Sequence, residues 1–368
     1  MTHSLPALGC TKNELDTPVL CVDLDILETN TRKLVDACRR HGVHWRPHIK
    51  CHKSSAVARR LLDAGAIGVT CAKLGEAEVM VAGGIGDVLV ANLIVGEQKL
   101  QRLVALRRQT DVIVCVDDPA QAQAFNRVMS EAGLTLRVLI EIDIGMRRVG
   151  VMPGQPALEL AQEVQRLPAL QLAGIMGYEG HLLRVTDPVE KAARIGEALG
   201  WLVETRAVLE CAGLPCPIVS CGGTGSFAQA VRQPGITELQ AGGGIFMDAF
   251  YRLGCQVAEF DHALTVLATI VSRPAADRAV IDAGRKTLNV DIHPALVVGR
   301  DDVTIEGLSA EHGALRLEPS AQHLAIGDRV ELIPGYSDLT CVLHDYLYGF
   351  RGDRLEVIWP LEARGRLQ

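Results

Sequence analysis

Eight short runs rich in β-branched residues alternate with helix-period segments over the first two thirds of the chain, and no other feature limits the fold as strongly. The runs are residues 43–47, 68–72, 87–92, 111–116, 136–144, 172–177, 218–221 and 238–242. Between and before them, residues 26–40, 55–64, 74–82, 97–108, 119–132, 156–166 and 191–211 carry apolar side chains at helical spacing. Such alternation gives parallel strands joined by helical crossovers. Eight units predict an α/β fold of the closed (β/α)8 TIM-type barrel class rather than an open sheet. Aromatics make up only 4% of the 368 residues. Val, Ile, Leu and Ala must therefore fill the interior, as they do in the side-chain layers of a barrel.

The pattern changes after residue 254. Residues 257–271, 278–282, 295–298, 302–308, 314–317, 328–332 and 354–359 read as short strands. Turns at Gly313, Gly327 and Arg351-Gly-Asp-Arg354 separate several of them, which predicts a mainly antiparallel β domain. The expected organisation is a barrel over 26–254 and a β domain over 255–368, with residues 1–25 joining the β domain.

Charge and composition exclude several classes. The formal net charge is −7 and no Lys/Arg run is present, whereas a nucleic-acid groove needs a concentrated basic surface. No apolar stretch reaches the roughly 18–20 residues that span a bilayer, and the first residues lack the charged and apolar regions of a signal peptide. The 11 cysteines are scattered, odd in number and without a C-x-x-C pair. Free thiols in a reducing cytosol are the simplest reading, so a cytoplasmic protein is expected.

Four segments carry chemistry. Arg46-Pro-His-Ile-Lys50-Cys-His-Lys53 ends the first barrel strand, and barrel active sites sit at strand C-termini. Lys50 there is ringed by potential cations, and nearby positive charge favours the neutral, nucleophilic amine. Ser220-Cys-Gly-Gly-Thr-Gly225 follows the seventh strand and Gly242-Gly-Gly244 follows the eighth. Glycine-rich turns let backbone N–H groups close on a phosphate, and the loops after strands seven and eight are a recurrent phosphate site of barrels. Gly177-Tyr178-Glu-Gly-His181 ends the sixth strand. An imidazole such as His181 suits proton transfer because it titrates near neutrality.

The segment around Lys50 resembles the R-P-H-x-K-T-H-K signature of the D-threonine aldolase and D-serine dehydratase family, fold-type III pyridoxal-phosphate enzymes related to alanine racemase. The resemblance continues through Asp16-Thr-Pro-Val-Leu-Cys-Val-Asp23, Cys71-Ala-Lys-Leu-Gly-Glu-Ala-Glu78, Ile142-Asp-Ile-Gly-Met-Arg-Arg-Val-Gly150 and Ile281-Asp-Ala-Gly-Arg-Lys-Thr287. It runs from about Thr17 to a Trp359-Pro-Leu-Glu-Ala-Arg-Gly365 tail that looks more like the aldolases. It implies that Lys50 carries pyridoxal 5'-phosphate and that Arg148 faces the cofactor's phenolate oxygen. It also implies that Tyr178 packs near the ring and that Gly223, Thr224, Gly243 and Gly244 hold the phosphate. Gln240 stands where racemases place an arginine against the pyridine nitrogen, and a neutral side chain there implies a weaker electron sink.

The family's metal motif, P-x-H-x-D or P-x-H-x-C, is altered here. In Pro334-Gly-Tyr-Ser-Asp338 a tyrosine replaces the histidine. Imidazole and carboxylate suit Mn or Zn, and a neutral phenol is a poor ligand. Three outcomes follow, with no metal ranked first: no divalent metal (Mn, Mg or Zn); a metal held by Asp338 with His344; or Tyr336 acting as an acid or base. The resemblance implies an aldolase that splits a D-3-hydroxy amino acid into an aldehyde and glycine, with a proton taken by Tyr336/Asp338 or His181. The rival readings are a D-serine-like dehydratase, an amino-acid racemase, and a cofactor-binding homeostasis protein without turnover. A homodimer with shared active sites acting on a small D-amino acid is also implied.

Overall fold

The computed structural model describes residues 5–368. The chain divides into two compact units. One contains residues 33–50, 54–242 and 365–368; of the described residues, the other contains 5–32, 51–53 and 243–364. Strand β1 (Val19–Asp23) leads into helix α1 (Leu24–His41), which carries the chain from the second unit into the first.

The first unit is the barrel. Its strands are β2 (His44–Trp45), β3 (Val69–Cys71), β4 (Asp87–Leu93), β5 (Asp111–Val116), β6 (Leu136–Glu141), β7 (Leu170–Met176), β8 (Ile218–Cys221) and β9 (Glu238–Leu239). They run in the order β2-β9-β8-β7-β6-β5-β4-β3, all parallel. A parallel bridge from His48 to Thr70 joins the two ends of that order and closes the barrel. The crossovers are α2 (Ser55–Ala64), α3 (Leu74–Ala82), α4 (Glu97–Arg107), α5 (Pro119–Ala132), α6 (Gln155–Arg166), α7 (Pro188–Cys211) and the short α8 (Phe227–Ala230).

Local chemistry fixes where these helices begin and end. The Asp118 carboxylate accepts the Ala120 N–H at 2.7 Å, and Pro119 follows as the first helical residue of α5. That proline has no N–H to leave unsatisfied and its φ is preset for a helix. Gly133 ends α5 in the left-handed region at φ +66°, where a side chain would be strained. Asp187 caps α7 through the N–H groups of Val189 and Glu190.

The barrel interior is layered. Leu89, Ile113, Cys115, Leu139, Ala173 and Met176 form a buried apolar cluster. Near the strand N-termini a charged layer replaces it. Arg46 is 2% exposed; its Nε donates to Glu238 Oε2 and its Nη1 to Asp87 Oδ1, both at 2.8 Å. Arg137 pairs with Asp111 at 2.8 Å. Gly68 leaves room for this arginine, because a Cβ there would stand 2.5 Å from Arg46 Nη1.

The second unit is built on strands β10 (Leu264–Ala275), β11 (Arg278–Ile281), β12 (Leu296–Val297), β13 (Val303–Leu308), β14 (Gly313–Leu317), β15 (Arg329–Ile333), β16 (Tyr346–Arg351) and β17 (Arg354–Pro360), with helix α9 (Ser337–Cys341). Its sheet runs β13-β14-β11-β10-β1-β16-β17, and β15 pairs with both β10 and β12. Only the β1–β16 pairing is parallel. Leu15, Cys21, Leu267, Phe350 and Leu355 pack together on this sheet.

The barrel followed by a mainly antiparallel sheet is the architecture expected from the sequence. Strand β16 was not anticipated. Its Tyr346-Leu-Tyr-Gly-Phe-Arg351 run has a glycine inside it, and Gly349 is a close-approach position: a Cβ would stand 2.7 Å from Val357 and 2.9 Å from Leu24. No described helix is long and apolar enough to cross a membrane.

Candidate active site

In the barrel unit the predicted residues converge on the strand C-termini. Lys50 lies on a 3-10 turn, Ile49–Cys51, directly after β2. It is half-buried, and its backbone N–H donates to His48 Nδ1 at 3.3 Å. His48 is itself fixed between neighbouring strands: its N–H donates to the Gln240 carbonyl at 3.1 Å, and it bridges to Thr70. Gly242 is sterically required here, because a Cβ would collide with the His48 carbonyl. Arg46, counted from sequence among the cations around Lys50, is instead engaged by Glu238 and Asp87 in the barrel floor.

The turn after β8 is shaped from beneath by a residue the sequence reading passed over. Glu179 is fully buried, and Ser226 Oγ–H donates to its Oε1. Ser226 Oγ in turn accepts the Gly223 N–H at 3.2 Å. These contacts set the turn that carries Thr224 and Gly225. Gly222 adopts φ +82°, and Gly223 lies under the Tyr178 ring, where a Cβ would stand 3.0 Å from the phenol oxygen. Burial first pushes the Glu179 carboxyl up, against the Ser226 hydrogen bond that lowers it. The only early signal for Glu179 was its place between Tyr178 and His181.

The 142–150 loop after β6 is tied by two carboxylates. Asp143 Oδ1 accepts the N–H groups of Gly145 and Arg147, and Asp117 Oδ2 accepts that of Gly150. Arg148 is thereby placed with its guanidinium 5.9 Å from the centre of the Tyr178 ring, within cation–π range. Below it, Glu141 ends β6 at 3% exposure, and its Oε2 has no hydrogen-bond partner. His181 packs on Gly145, where a Cβ would be 2.8 Å from Nε2. Burial first and then the Arg194 charge lower its pKa from the ordinary 6.5, while Asp143 opposes them. At pH 7 the imidazole is therefore neutral and able to accept a proton.

Glu141 gives a pH signature. Burial carries its carboxyl from 4.5 to about 7, with the Arg148 charge opposing. A carboxyl raised by folding stabilises the fold fully below its unfolded value and loses that contribution as pH rises through the folded one. The urea unfolding free energy should therefore fall between pH 4.5 and about 7, and Glu141→Gln should reduce that fall. An unchanged slope in the variant would contradict the assignment.

Gln240 follows β9 and is 7% exposed. Its Nε2 donates to Ser220 Oγ at 2.8 Å, Ser220 donates to Glu238 Oε1 at 2.7 Å, and Glu238 meets Arg46. Neither Ser220 nor Glu238 was singled out from the sequence.

In the second unit, Gly243 starts a 3-10 turn, Gly243–Ile245, that also holds Gly244, and a Cβ on Gly243 would stand 2.6 Å from the Tyr251 ring. Tyr336 Oη donates to Asp338 Oδ2 at 2.8 Å. The Tyr336 ring meets Phe250 edge-on at 5.5 Å and Tyr251 at 5.9 Å. Asp248 accepts both the N–H and Oγ–H of Ser337 and so anchors the start of α9. His344 Nε2 is bonded to the Thr287 carbonyl at 2.9 Å rather than to Asp338. Among the described residues no three His, Cys, Asp or Glu side chains come together as a metal site. The phenol–carboxylate pair fits a divalent cation poorly, because a neutral phenol is a weak ligand where an imidazole would serve and its proton is committed to Asp338 Oδ2.

The barrel site does fit pyridoxal phosphate. It offers an amine after β2, a turn of glycine and threonine after β8, and an arginine after β6. Comparisons with known proteins agree. Residues 22–249 match the family model for the alanine racemase N-terminal domain, and residues 263–350 match a putative serine dehydratase domain. The chain is 37% identical to a D-threonine aldolase from an Arthrobacter species, over 95% of this chain and 93% of that one. It is 36% identical to a 3-hydroxy-D-aspartate aldolase from Paracoccus denitrificans, over 99% and 96%. The crystal structure of a D-threonine aldolase from Filomicrobium marinum superposes with a TM-score of 0.95 at 39% identity, covering 99% of this chain and all of the other. The chain thus belongs to the D-threonine aldolase and D-serine dehydratase family, whose barrel is the alanine racemase N-terminal domain.

Proposed function

We propose that this enzyme is a pyridoxal-phosphate-dependent D-3-hydroxy-amino-acid aldolase, cleaving Cα–Cβ to give an aldehyde and glycine. The observation that carries the reading is near-full-length similarity to two aldolases of D-3-hydroxy amino acids. Bound at the barrel mouth, the cofactor supplies an electron sink for the pair left on Cα when the bond breaks. Lys50 Nζ holds the cofactor covalently and returns as an amine that moves protons at Cα. The turn at Gly223–Thr224 and the glycines Gly243 and Gly244 bind the phosphate, and Arg148 orients the phenolate side of the ring. Tyr178 packs on the ring.

The β-hydroxyl must lose its proton for the aldehyde to form. We assign that proton to the Tyr336–Asp338 pair, with neutral His181 as the second candidate acceptor. A phenol hydrogen-bonded to a carboxylate can pass its proton on and take another from substrate. The phenol in place of an imidazole makes this proton transfer metal-free in the same reading. A homodimer in the cytoplasm, with each site completed by both copies, belongs to the same reading.

Purified protein supplied with pyridoxal phosphate and D-threonine should release acetaldehyde and glycine in equal amounts, and chelator should leave the rate unchanged. A 2-oxo acid and ammonia would instead support dehydration, the reading favoured by the match of residues 263–350. L-allo-threonine without cleavage, the product of inversion at Cα alone, would support racemisation. A rate abolished by chelator and restored by Mn would overturn the metal-free assignment.

A further inference from the structure

We propose that Ser220 and Glu238 are positioning residues that lock the Gln240 amide with its carbonyl oxygen toward the cofactor, so that the pyridine nitrogen is held protonated. This rests on the barrel site holding pyridoxal phosphate, as proposed above.

Strand order makes Gln240 the ring's neighbour. The barrel runs β2-β9-β8. A cofactor joined to Lys50 after β2 and gripped by the turn after β8 must lie across the end of β9, which is where Gln240 sits. The hydrogen-bond chain then fixes which end of the amide faces it. Glu238 accepts from Arg46 on one oxygen and from Ser220 Oγ on the other. A hydroxyl has one proton. With that proton on Glu238, Ser220 Oγ can only accept, and its partner in Gln240 must be the NH2 group. The remaining Nε2–H points toward Met176 Sδ at 3.9 Å. Among the described residues Gln240 Oε1 accepts no hydrogen bond. The orientation follows from the whole network rather than from the similar shapes of the amide's two ends.

An open carbonyl oxygen is an acceptor only. An unprotonated pyridine nitrogen is also an acceptor, so the two lone pairs would repel. A pyridinium N–H, its proton drawn from solvent, would bond to Oε1. The buried layer beneath therefore selects the charged ring, the stronger electron sink. This reverses the expectation from residue type alone that a neutral glutamine leaves the ring a weaker sink.

The test uses the holoenzyme reconstituted with cofactor labelled with 15N in the ring. At pH 7.5 the wild-type resonance should fall in the protonated-pyridine region. Gln240→Leu should move it to the free-pyridine region. Ser220→Ala, which releases the amide to rotate, should move it part of the way. Gln240→Glu, which keeps an acceptor, should retain the protonated shift and serves as the check that the site is folded. A wild-type resonance in the free-pyridine region, or one that Gln240→Leu leaves in place, would overturn the inference while leaving the cofactor assignment standing. Absence of any bound-cofactor signal would overturn both.

Discussion

Lys50→Ala is expected to lower kcat/KM for D-threonine cleavage by about 10³-fold or more, the loss typical when a group that both bonds and moves protons is removed. It should also abolish the visible absorption of the bound cofactor. The size of the effect follows from placement. Lys50 stands at the C-terminal end of β2, on a turn held by His48, which is itself pinned to β3 and β9. Excess free amine should restore part of the rate to the variant, because a small amine can replace the lost Nζ in proton transfer. Full activity in Lys50→Ala would remove the lysine from the chemistry.

Arg46→Ala should be the most damaging change to stability in the barrel. Removing one partner of a buried ion pair costs about 3–5 kcal/mol, because the carboxylate left behind is both desolvated and unpaired. Glu238, 3% exposed, would be that carboxylate. Asp87 is 38% exposed at its side chain, so solvent compensates it. Arg46→Met, which keeps most of the volume, should be nearly as damaging, since the cause is charge rather than a cavity. Urea denaturation of both variants separates the two causes. A loss under about 1 kcal/mol in Arg46→Met, with a large loss in Arg46→Ala, would mean that packing dominates.

Much of the fold was legible in the sequence because helix ends and strand runs carry local signals. Pro119 after Asp118 and Gly133 at the far end bound α5 without reference to any tertiary contact. Strand β16 was not legible. Its character depends on pairing with β1 and β17, and its glycine is there to admit Leu24 and Val357. The site divides in the same way. Lys50, Arg148, Tyr178 and the glycine turns stand in local patterns that can be read in order. Glu141, Glu179, Ser220 and Glu238 do their work across strands, by hydrogen bonds between residues about 20 to 190 positions apart or by burial. Arg46 shows the converse error. Its neighbours in sequence suggested a cation beside Lys50, but a side chain alternates in direction along a strand, and the partners it meets lie on β4 and β9.

The most direct measurement is where the cofactor attaches. Reduction of the reconstituted enzyme with borohydride, followed by proteolysis and mass mapping, should place the pyridoxyl label on the peptide containing Lys50. Label on Lys53, Lys73 or any other lysine, or none at all, would contradict the account.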